Sequence, residues 1–152
     1  MPRNSGETRR LLADLQARLD GAAVARTRDF WQRYLRGAVP FRGAPTNAIR
    51  AALHAWWRDH ALDRLPLAAR KRLALALLRE RHGEDKLAGV LALAEILLPH
   101  LARADLRALA ALLDEGHLSD PHSSDWLCAH VLGPFIASAA GAGERLRRAR
   151  AI

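Results

Sequence analysis

The chain has 152 residues, with 24 Lys and Arg against 16 Asp and Glu for a formal charge of +8; half of it is hydrophobic and only 5% aromatic. So large a hydrophobic share excludes a disordered chain, and the dominance of Ala, Leu and Arg favours helices over strands, so a single all-α domain is predicted. The positive balance favours nucleic acid as a partner.

Residues 7–20 place Leu12, Leu15 and Leu19 on one stripe, with Gly21 as the stop. A second helix from Ala22 to Arg36 carries Val24, Trp31, Tyr34 and Leu35 and stops at Gly37, giving an opening pair over residues 1–37. The segment from Pro40 to Pro45 has prolines flanking Gly43, which predicts a fixed turn leading to Thr46 as N-cap. Ile49, Leu53, Trp56 and Trp57 then form an apolar face up to Asp59. Pro66 opens a helix to Arg81 with Leu73, Leu77 and Leu78 at helical spacing, and Gly83 is expected to end it.

The cleanest stripe follows: Leu87, Val90, Leu91, Ala94, Leu97 and Leu98, stopped by Pro99. Leu106, Leu109, Leu112 and Leu113 mark its partner helix, which ends at Gly116. After a polar loop, Trp126, Leu127, Val131, Leu132, Phe135 and Ile136 build a last helix, and a basic tail with Arg145, Arg147, Arg148 and Arg150 closes the chain.

Thr46, Asp85 and Ser124 each open an apolar helical stretch, and they recur at a spacing of 39 residues. Two helices per unit at a period of about 40 to 47 residues is the pattern of HEAT-type repeats, and this spacing sits at its lower edge. The predicted architecture is therefore HEAT-like antiparallel helix pairs stacked as a short curved α-solenoid, with function on the concave face. Its units are residues 46–83, 85–116 and 124–140, the last incomplete, followed by the basic tail 141–152. Charge is nearly balanced in the middle of the chain and positive toward both ends.

All cations except Lys71 and Lys86 are Arg. That bias suits phosphate recognition, and a GC-rich coding sequence would also produce it. Cys128 is the only cysteine, so no intrachain disulfide forms and a reducing compartment is expected. Without a signal-peptide pattern, or an apolar run of the roughly 20 residues that span a bilayer, a soluble cytoplasmic monomer is expected, away from membranes.

The histidines form no metal-ligand spacing, and no glycine-rich phosphate loop follows a strand, so neither metal nor cofactor is predicted. Cys128, in an apolar helix, reads as inert core. Neighbouring helix positions lie about 100° apart, so Trp56 and Trp57 can hardly share one core. Trp57 is assigned to packing, and Trp56 to covering an adjacent turn or offering an aromatic surface to nucleic acid. Trp31 and Trp126 read as core.

Three segments carry a family resemblance. Pro40 to Thr46, with Ile49, Arg50 and Trp57, resembles the N-terminal turn of the DNA alkylation repair family, HEAT-like monofunctional glycosylases that remove alkylated purines. Glu84-Asp85-Lys86-Leu87-Ala88-Gly89 resembles the next repeat, and the segment from Asp125 to Gly133 resembles the active-site helix, which begins with an aspartate. Order and spacing agree over roughly residues 27 to 136. Where family members carry a tryptophan four residues before the aspartate, this chain has Pro121, followed by His122; the family's later repeats have no counterpart before Ile152.

The resemblance implies excision of cationic N3- or N7-alkylated purines from duplex DNA without metal or cofactor. Asp125 would be the catalytic carboxylate, with Arg42, Arg145, Arg147 and Arg148 as nucleic-acid contacts. The residues alone leave two alternatives open. Asp125, beside Ser123 and Ser124, is what helix capping would select, and the whole chain reads equally as a non-catalytic HEAT-like module that binds nucleic acid or a protein partner.

Overall fold

The computed structural model describes residues 5–138. The helices are α1 (Ser5–Gly21), α2 (Ala25–Tyr34), α3 (Thr46–Asp59), α4 (Leu67–Arg79), α5 (Gly83–Leu91), α6 (Arg103–Asp114) and α7 (Pro121–Leu127), with 3-10 turns at Leu62–Arg64 and Leu98–His100. α5 runs on into a π-helical segment, Ala92–Leu97; α7 does the same over Cys128–Leu132 and is helical again through residue 138. No strand is found among the described residues, as expected of a chain rich in Ala and Leu. Nor, among them, is any helix long and apolar enough to cross a membrane.

The helix starts differ from the sequence reading. α3 is preceded by Pro45 in the cap position, without a side-chain cap, so Thr46 is its first residue. Gly83 begins α5 rather than ending α4, which stops at Arg79 because Glu80 turns extended. A side chain at Gly83 would run into the ring of Phe41, so packing keeps this position small. α7 is capped by Asp120, whose carboxylate accepts a 2.7 Å hydrogen bond from the Ser123 amide. Ser124 therefore lies inside the helix, where its hydroxyl donates back to the Asp120 carbonyl at 2.8 Å.

Packing arranges α1, α3, α5 and α7 as successive neighbours in one row, with α4 and α6 paired beside them. α5 is central. It touches α3, α4 and α7, and each of its residues from Gly83 to Leu91 is buried, where a single stripe was expected. Leu15, Leu19, Leu53, Leu77, Leu78, Val90 and Leu97 are fully enclosed in the same core. Truncating one such leucine to Ala typically costs about 2–5 kcal/mol.

Both neighbouring tryptophans belong to this core, which corrects the reading of Trp56 as covering a turn or offering an aromatic surface. The Trp56 indole donates to the Leu11 carbonyl at 2.9 Å and ties α3 to α1. That of Trp57 donates to Asp63 at 2.8 Å, in the turn that follows α3. Their angular separation is accommodated because each ring faces a different neighbour.

α2 is the exception to the layered packing. None of its residues is buried, and Val24 and Tyr34 are exposed. It is held by the Val24 amide donating to the Gly43 carbonyl at 2.9 Å, and by a small cluster in which Trp31 packs on Leu35, Val39 and Phe41.

Candidate active site

Three consecutive charged residues, Glu84, Asp85 and Lys86, are buried at the start of α5. Such burial is tolerated only with partners, and each residue has its own. One Glu84 oxygen accepts from the Gly43 amide at 2.7 Å and from the Ala44 amide at 3.2 Å, while the Gly83 amide donates to the Pro40 carbonyl at 3.0 Å. The 40–45 turn is thereby fastened to α5. Gly43 has φ +107, and a Cβ there would strike the Val24 carbonyl, so only glycine fits.

Asp85 accepts from the Arg42 guanidinium at 3.2 Å. Burial pushes its pKa up to about 6, against the opposing pull of Arg42. The Lys86 ammonium donates to the carbonyls of Leu78 and, at 2.5 Å, His117. Burial lowers its pKa, while Asp120, Asp85 and Glu80 oppose that shift. Lys86 thus links the end of α4 to the loop that delivers α7.

These anchors position the two walls of a cleft of about 380 Å³ between α2 and α7, lined by Phe30, Trp31, Tyr34, Pro121, His122, Asp125 and Trp126. Phe41, on the fastened turn, stacks on Trp31 at 5.3 Å with 15° between planes. Trp31 in turn meets His122 at 4.3 Å, and Phe30 stacks on Tyr34 at 5.9 Å. Trp31 and Trp126, expected in the core, are half-buried: each packs one side against a core cluster and lines the opening with the other.

Asp125 is exposed at this cleft, and no described residue forms a hydrogen bond or ion pair with its carboxylate. The capping function falls to Asp120. What remains is a carboxylate beside a set of aromatic faces. Aromatic faces attract flat cationic rings, and a carboxylate stabilises positive charge that develops next to it.

The other predicted contacts lie elsewhere. Arg42 is turned inward: its side chain is 9% exposed, with Nε 2.6 Å from Asp20 and the guanidinium on Asp85, so carboxylates of the protein occupy the group expected to meet DNA. Arg145, Arg147 and Arg148 lie outside the described residues. Cys128 is exposed, which corrects its assignment to the core. No group of three or more His, Cys, Asp or Glu among the described residues is arranged to hold a metal ion.

The sequence reading missed the α2 wall. Its signal was present: Phe30 and Tyr34 stand four apart on a helix of Arg, Asp and Gln that has too few apolar residues for a core face. A larger groove of about 530 Å³ lies between α1 and α4. Its one carboxylate, Glu80, is engaged by Arg9 at 3.0 Å and Gln16 at 3.1 Å, so the chemistry favours the aromatic cleft.

Fold and cleft together define an all-α protein of packed helix pairs that presents a carboxylate beside an aromatic recess. The sequence matches the profile of the family described as DNA alkylation repair enzyme over residues 15–150, and the chain belongs to that family. No match was found among curated proteins or among solved structures. Membership places the protein in DNA alkylation repair, and DNA is the partner it implies.

Proposed function

We propose that the protein is a monofunctional DNA glycosylase that excises cationic N3- or N7-alkylated purines from duplex DNA, with Asp125 as its catalytic carboxylate. One observation carries this reading: Asp125 stands at the aromatic cleft without a hydrogen-bond or ion-pair partner among the described residues, while Asp120 caps the helix. An alkylated purine that is already cationic leaves without a strong general acid, and its departure concentrates positive charge on the deoxyribose. Asp125 stabilises that charge and orients the attacking water. The faces of Trp31, Tyr34 and Trp126 hold the cationic base. No metal or organic cofactor takes part in this scheme. The helix rows are read as a short curved solenoid, and the duplex is held through phosphate contacts from arginines, with Arg145, Arg147 and Arg148 of the basic tail assigned to that role.

The test is single-turnover release of N7-methylguanine from a duplex by the wild type, by Asp125→Asn and by buffer. Release by the wild type alone is expected, with Asp125→Asn folded and still binding DNA. Equal release in all three would sink the enzyme and leave a non-catalytic nucleic-acid module.

A further inference from the structure

His122 follows Pro121, the residue that stands where family members carry a tryptophan, and the reaction above does not use it. Its ring is 4.3 Å from Trp31, tilted by 43°, with Phe41 at 6.1 Å and Trp126 at 6.2 Å. The side chain is half-buried and lines the cleft with Asp125. Among the described residues none hydrogen-bonds to either ring nitrogen. The half-buried ring thus keeps its nitrogens open to water or to whatever occupies the cleft.

We propose that His122 is the selectivity residue of this cleft: as a neutral aromatic ring it forms part of the wall that admits a cationic base, and as an imidazolium it excludes one. The proposal rests on the reading of the cleft as a site for cationic alkylated purines. Burial among the rings pushes the imidazole below the ordinary histidine range. The charged groups acting against that shift are Asp120 and Asp125 on its own helix and Glu84 on α5. From α2 and the 40–45 turn it is faced by Trp31, the Tyr34 phenol across the cleft, and Phe41.

The ring is accordingly neutral at neutral pH and gains its proton only on the acid side. Two like charges brought within a few ångströms of each other in the recess repel. A bound cationic base in turn holds the imidazole neutral to still lower pH, by linkage.

The experiment compares affinity for a duplex carrying one N7-methylguanine, made resistant to cleavage by a 2′-fluoro sugar, with that for the same duplex unmodified. Both are measured from about pH 8 down to about pH 5, on either side of the ordinary histidine pKa. In the wild type the methylated-to-unmodified ratio should fall about tenfold or more as pH drops below that value. In His122→Phe, which keeps the ring stack and cannot titrate, the ratio should stay level. His122→Gln, an independent non-titrating variant, should also be level, at a higher ratio than Phe because it can still hydrogen-bond the base.

A parallel fall in wild type and variants places the titration on another group and overturns the role of His122. A level wild-type profile with a ratio well above one overturns it equally. A wild-type ratio near one at every pH instead removes the parent reading of the cleft.

Discussion

Asp85 lies in the first turn of α5 and Asp125 in the second turn of α7, helices that pack against each other, yet their situations are opposite. Asp85 is fully buried and paired with Arg42, and burial raises its pKa to about 6. Asp125 is exposed at an aromatic cleft, with no hydrogen-bond or ion-pair partner among the described residues. A strongly shifted carboxylate is often taken as the mark of an active site. Here the shifted one serves architecture, as its Arg42 partner and its enclosure show. The unencumbered one has the access that chemistry needs.

The largest effect should come from the buried region. Lys86→Met would leave the Leu78 and His117 carbonyls without their donor and deprive Asp85 and Asp120 of a nearby cation. Denaturant unfolding should show a loss of about 3–5 kcal/mol, the usual result of removing one member of a buried charged set. A loss below about 1 kcal/mol would mean that water satisfies these groups and that the anchor is dispensable.

Next comes Asp125→Asn, which should lower the rate of base excision by about 10²- to 10³-fold, as removal of a preorganised electrostatic group does, with no change in melting temperature. If the rate held and the melting temperature fell, the roles of the two aspartates would be reversed.

The third sharpens the comparison through pH. The folded-state pKa of Asp85 is raised above its ordinary value of 3.8 to about 6, so between those values the native state binds the extra proton. Asp85 therefore penalises stability above about pH 6, and the penalty is relieved as pH falls toward 3.8. Asp85→Asn lacks this term. The stability of the wild type relative to Asp85→Asn should rise by about 2 kcal/mol from pH 7 to pH 4, at roughly 1.4 kcal/mol per pKa unit. A constant gap would show that Arg42 keeps Asp85 ionised throughout. The smallest effect is at the cleft wall, where Trp31→Leu should weaken binding of a methylated duplex about tenfold, the scale of one partly desolvated cation–π contact.

Much of the core was legible. The stripes of Leu12, Leu15 and Leu19, of Ile49 and Leu53, and of Leu73, Leu77 and Leu78 are all buried, because helical spacing alone fixes which face turns inward. Helix starts were less so. Thr46 and Ser124 are residues that favour caps, yet they also serve within a first turn, and only the backbone shows that Pro45 and Asp120 hold the cap positions. Cys128 was misplaced because it was assigned from the apolar character of its helix as a whole: Leu127 and Val131 take the buried face, and Cys128, one position on from Leu127, is exposed.

The candidate site was legible only in half. Asp125 came from the resemblance, while the α2 wall rests on aromatic residues whose exposure depends on long-range packing. Arg42 and Asp85 stood in two separate motifs, and nothing in their spacing revealed that they form one ion pair.

Gly83 extends the reach of these contacts. Any side chain there would meet Phe41, which stacks on Trp31, which forms the cleft wall beside His122. The width of the recess is thus governed from behind, by a buried position that a ligand never touches. A larger residue at this glycine would displace Phe41 and Trp31 and so reshape the recess while every residue that lines it stayed the same.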